Sequence, residues 1–140
     1  KMTYRQIEEA VMSLLEDAAP GVTIKGYAGE FGSDSFVNVA LKLPALLVHV
    51  VGMTNQRTGN ADARMLTIRV YGVDKSLRPD SGRYGAYELM ETTRGALHYT
   101  TISGVGALQV GQEEMIGYAQ GLCVMSADYQ LGHQVMLKRN

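Results

Sequence analysis

Apolar residues in the first part of the chain recur at helical spacing. Ile7, Ala10, Val11, Leu14, Leu15 and Ala18 form one stripe at i, i+3, i+4, i+7, i+8 and i+11, which predicts an amphipathic helix. Thr3 and Gln6 have the spacing of a capping box, and Pro20-Gly21 closes the segment. The period then changes to two. In "VTIKGYA", Val22, Ile24 and Gly26 fall on one face and Thr23, Lys25 and Tyr27 on the other, as in a short half-buried strand. Phe36, Val37, Val39, Ala40 and Leu43 suit a helical turn or two between Ser35 and Leu43, stopped by Pro44.

"ALLVHVVGM" is apolar at consecutive positions and predicts a central strand covered on both faces. The polar stretch "TNQRTGNADA", Thr54 to Ala63, has no periodicity and reads as a projecting loop. Beyond it Leu66, Ile68 and Val70 alternate with Met65, Thr67, Arg69 and Tyr71, the pattern of a strand that returns as the second arm of a long hairpin. Tyr84, Tyr87, Leu89, Met90, Thr93, Ala96 and Leu97 describe a second amphipathic helix from about Ser81 to Tyr99. At least two more strands are expected, near Ala107 to Gly111 and Leu122 to Leu131. There is no regular βαβ alternation, no repeat and no linker. The expected fold is α+β, a single domain over 1–140 in which a mixed, mainly antiparallel sheet carries two amphipathic helices on one face.

Composition narrows the chemistry. A net charge of -1 and a pI near 6.3 give no basic footprint for gripping nucleic acid. The longest apolar run, Leu43 to Met53, is too short to span a bilayer, and the polar start lacks the apolar core of a signal peptide. Cys123 is the only cysteine, so no intrachain disulfide can form, and the expected setting is intracellular. Gly104 and Gly106 begin a dinucleotide-like spacing that fails at Gln109, and "GYAGEF" is followed by no Lys-Ser or Lys-Thr. His49, His98, His133 and Cys123 are scattered singly, unlike zinc ligands. His49 reads as a satisfied core or interface histidine. Cys123, inside an apolar alternating run, reads as a buried inert thiol. Glu8-Glu9 belong to the polar face of the first helix and Glu113-Glu114 to a loop, both as solvated surface. No catalytic residue, metal ligand or cofactor site is expected, and the chain reads as a non-enzyme.

The order of elements and several short motifs resemble the small tail-assembly protein of Mu-like phages and prophages, a family of tail-terminator type. The motifs are Tyr27, Gly29, Glu30 and Phe31 in the turn, Leu43, Pro44 and Ala45 at the strand entry, and Gly85, Ala86 and Tyr87 opening the second helix. In that setting Gly26 and Gly29 serve the turn rather than a phosphate. The resemblance implies a virion structural protein, assembled in the host cytoplasm, that forms a ring of six copies at the tail or neck. Its partners would be other copies of itself, the tail tube, the sheath in contractile tails and the head-tail connector, with DNA only passing through the lumen and no membrane involved. Rival expectations are a neck or head-completion protein of the same particle and, from a different class, a small-ligand-binding or enzymatic α+β domain. The nominated protein-interface residues are Asn55, Gln56, Arg57, Thr58 and Asn60 of the polar stretch, together with Arg69.

Overall fold

The structure is a computed structural model that describes residues 3–27, 42–58, 61–77, 85–102, 105–119 and 122–136. In chain order the elements are α1 (Tyr4–Ala18), β1 (Thr23–Gly26), β2 (Ala45–Thr58), β3 (Ala61–Asp74), α2 (Ala86–Leu97), β4 (Thr101–Ile102), β5 (Gly106–Ala119) and β6 (Leu122–Met136). The strands form one six-stranded sheet in the order β1-β2-β3-β6-β5-β4. β1 runs parallel to β2, and every other pairing is antiparallel. This is the α+β architecture expected, with the sheet curled into a half-barrel. Register shifts at Val50/Gly52 in β2 and at Val110/Glu113 and Met115/Gly117 in β5 insert bulges. Each bulge bends its strand and tightens the local twist, which helps the sheet curl.

The helix starts where its side chains can replace missing backbone partners. Thr3 Oγ1 accepts from the Gln6 N–H at 3.1 Å, and Gln6 Oε1 accepts from the Thr3 N–H at 2.8 Å. Ile7, Val11 and Leu15 of α1 are buried, as the stripe requires. They meet Leu89, Met90 and Leu97 of α2 and, from the strands, Leu46, Val48, Ile68, Val70, Tyr129 and Leu131 in one core. Both helices therefore lie on the same face of the sheet. Gly72 of β3 lets α2 come close: a Cβ there would sit 2.8 Å from Met90 Cε and 3.2 Å from Leu89 Cβ.

β2 is buried on both faces only from Ala45 to Val48, and the two faces serve different clusters, while Val51 of the expected doubly covered run is exposed. Leu46 and Val48 join the helix-side core, whereas Leu47 packs with Tyr71, Val73 and Val124 on the opposite face. That second cluster explains why the segment is apolar at consecutive positions.

Several expectations need correction. Most of the stretch expected to be a loop is strand: Thr54–Thr58 continue β2 and Ala61–Ala63 begin β3, paired from Thr54↔Met65 to Thr58↔Ala61. β6 extends the ladder outward, with Ala61↔Met136 and Arg64↔His133. Backbone pairing on both sides of β3 holds these residues in a sheet although their side chains show no apolar alternation. Glu113 and Glu114 lie within β5 rather than in a loop. β5 and β6 both outrun the segments expected for them, and β4 was unforeseen. α2 begins at Ala86, with the Gly85 N–H held by Glu88 Oε1 at 2.9 Å. The expected helix between Ser35 and Leu43, and Gly29, Glu30 and Phe31 of the turn, lie outside the described residues up to residue 41.

Candidate protein-interaction surface

The sheet face turned away from the helices has the most organised polar groups. Period-two alternation on β3 sends Met65, Thr67, Arg69 and Tyr71 to this face, and the register sets Gly132, Gln130, Asp128 and Ser126 of β6 beside them. Arg69 and Asp128 are a directly opposed pair, and the guanidinium grips the carboxylate with two bonds, Nε to Oδ1 at 2.6 Å and a terminal nitrogen to Oδ2 at 3.0 Å. Hydrogen bonding to Asp128 is the main reason the Arg69 pKa lies above its ordinary value, with Tyr71 a further partner. The two side chains keep 34% and 27% exposure, so the pair rests at the water boundary and contributes about 0–1 kcal/mol to stability.

Beside this pair stands a ring cluster. Tyr27, just past β1, lies 4.9 Å from both the His49 and the Tyr71 ring centroids. His49 is half-buried, yet its Nδ1 is buried without a hydrogen-bond partner. Within this one chain the hydrogen bond expected of a core histidine is not made at Nδ1. Burial, and secondarily the Arg69 charge, hold its pKa below 6.5 despite an opposing contribution from Glu8. The sign of the consequence is fixed. As the pH falls below about 6.5 the unfolded chain takes up a proton that folded His49 refuses, so stability should drop until the folded pKa is reached. Urea midpoints measured between pH 7 and 5 should fall less steeply in His49→Gln than in the parent. Parallel curves would show that His49 contributes nothing to the slope.

The nominated residues do not form one site. Arg69 stands opposite His49, whereas Asn55, Gln56, Arg57 and Thr58 pair with Arg64, Ala63, Asp62 and Ala61 toward the hairpin end. From Arg64 to Arg69 the strand advances roughly 16 Å at about 3.3 Å per residue. Asn60 lies outside the described residues. Sequence reasoning missed Asp128 as the partner of Arg69. The signal was Asp128, the one acid of β6, and Arg69, each on the polar side of an alternating strand.

Elsewhere the polar chemistry is structural. Arg94 of α2 clamps Glu113 of β5 with bonds of 2.9 and 2.6 Å, tying helix to sheet. Behind that clamp Tyr129 is fully buried, its hydroxyl has no hydrogen-bond partner, and burial pushes its pKa up. His98 Nδ1 accepts from the Val110 N–H at 3.0 Å. Cys123 is buried and burial raises its thiol pKa, which disfavours the nucleophilic thiolate. Glu9 is exposed on α1 and Glu8 half-exposed. Among the described residues no three His, Cys, Asp or Glu side chains gather as a metal would require, and no helix is long and apolar enough to cross a membrane.

The sequence matches no protein-family model and no curated protein.

Proposed function

We propose that the chain is a non-enzymatic structural protein of a phage-type tail. It forms a ring, with six copies expected, that caps the tail tube and, in contractile tails, the sheath. It stops polymerisation there and presents a surface to the head connector. The tail-terminator resemblance of the sequence motifs motivates the reading, and one structural observation supports it. β2, β3 and β6 run on together as a three-stranded ladder, from Thr54, Met65 and Gly132 to Thr58, Ala61 and Met136, roughly 13 Å long and including Asn55, Gln56, Arg57 and Arg64 in its sequence. A ladder of this polar composition has hydrogen-bonding groups to offer another protein.

A ring suits this role because a head-to-tail interface that closes leaves no free end, and its two faces differ. One face can match the tube while the other refuses a further layer. The slight net negative charge is compatible with DNA passing through a lumen without being held.

Native mass spectrometry with negative-stain imaging tests the proposal. A sixfold ring that binds the open end of purified tails is the expected result. Replacing residues 55–64, both arms of the outer hairpin, with a short Gly-Ser turn should leave a folded monomer with weakened ring formation or tail binding. A monomer that binds no tail overturns the proposal, and binding to filled heads instead of tails transfers the protein to the neck.

A further inference from the structure

The strand ladders stop short at both sides of the sheet. β1 covers β2 only from Ala45 to Val48, with Tyr27 N–H reaching Val48 O at 2.7 Å. From Val50 to Thr58 the outer edge of β2 meets no described strand. On the far side, β4 covers Gly106 and Ala107, while Tyr99, Thr100 and His98 reach Leu108 and Val110. From Gly111 to Ala119 the outer edge of β5 also meets no described strand. Neither segment carries the lysine or proline that often guards an edge, although each carries a bulge, at Val50/Gly52 in β2 and at Met115/Gly117 in β5.

We propose that these two edges pair with each other between neighbouring copies of this chain, β2 of one subunit beside β5 of the next, so that the sheet continues around the ring. The inference rests on the ring reading above and names the contact that builds it.

Strand direction favours this contact. β2, β3, β6 and β5 alternate in direction, so β2 and β5 run oppositely within one subunit. Rotation about a ring axis preserves the sense of each strand along that axis. The β5 of one copy therefore meets the β2 of the next in antiparallel orientation, and the alternation passes unbroken through the junction.

The positions of the covered segments set the offset. Val50, Ile68, Tyr129 and Val110 lie in one row across the four strands. The open edge of β2 lies to one side of that row and the open edge of β5 to the other, so neighbours must be staggered along the strands. Setting Thr54 opposite Met115, the middles of the two segments, needs a stagger of about seven residues, roughly 23 Å, which over four strands at about 4.8 Å each is a tilt of about 50°. A stagger of about five residues, with about five residues of each edge overlapping, gives a tilt of about 40°, within the range of roughly 35–45° found in closed sheets. The covers supplied by β1 and β4 thus leave open the halves that a closed, tilted sheet would use. Pairing of like edges would give a two-fold dimer and leave the other edge open.

Cysteine cross-linking tests this in a Cys123→Ser background. Thr54→Cys and Val51→Cys on β2 are combined with Gln112→Cys and Glu114→Cys on β5, all at exposed positions, so that a change of one register step is still caught. Mixing a β2 variant with a β5 variant under mild oxidation should give cross-linked dimers, and the double variants should give a ladder reaching the ring size. Native mass spectrometry on the same samples reports assembly independently. A ring with no cross-link between the two edges, or with links only between like edges, overturns this inference and leaves the ring reading standing. A chain that remains monomeric overturns both.

Discussion

Leu47→Asp is expected to abolish cooperative folding. Leu47 is fully buried on the face of the sheet away from the helices, against Tyr71, Val73 and Val124. A carboxylate there would lose its water and gain no cation, because Arg69 stands opposite the next outward position of that face, His49, and is already bound to Asp128. An uncompensated buried charge costs several kcal/mol, a large part of the roughly 5–15 kcal/mol that holds a domain together. Leu47→Met keeps volume and polarity and should cost less than about 1.5 kcal/mol. Circular dichroism and urea titration of the two variants decide the matter. A Leu47→Asp protein that melts cooperatively with near-parental stability would show that the second cluster contributes little.

Leu89→Ala should be the next most damaging change, lowering stability by about 2–5 kcal/mol. Leu89 is fully buried, and its Cβ lies against Gly72, so the side chain fills the seam between α2 and β3. Truncation leaves a void that the seam cannot close, because the Arg94–Glu113 clamp and the α2–sheet core fix the helix at other points. At roughly 3–4 °C per kcal/mol for a domain of this size, the melting temperature should fall by about 6–20 °C. Tyr87→Ala, on the exposed side of the same helix, should change stability by no more than about 0.5 kcal/mol. Equal losses from both variants would contradict the assigned helix face.

Much of the fold was legible because the helices obey local rules. The α1 stripe and its capping box depend on residues within a few positions of each other, and the structure keeps both. The β2 apolar run likewise announced burial on two faces. The polar half of the hairpin was illegible for the opposite reason. Asn55, Gln56, Arg57 and Thr58 give no alternation, and only pairing with β3, itself paired to β6, makes a strand of them. The same holds for Glu113 and Glu114, which are strand residues because β6 lies alongside.

The nominated surface divides along the same line. The sequence placed Arg69 on the polar side of its strand, but its partner Asp128 is 59 positions away, and only the antiparallel ladder of β3 and β6 brings them opposite. The sequence by itself determined where α1 and α2 lie and that no motif of catalytic spacing is present, since each follows from short-range periodicity and composition; the strand it marked as central is β2, second in the sheet, whereas β3 and β6 hold the centre. Only the tertiary structure decided which polar residues become strands, which charges pair and which segments of β2 and β5 meet no described strand, because backbone pairing joins residues that are distant in the chain and is indifferent to most side chains.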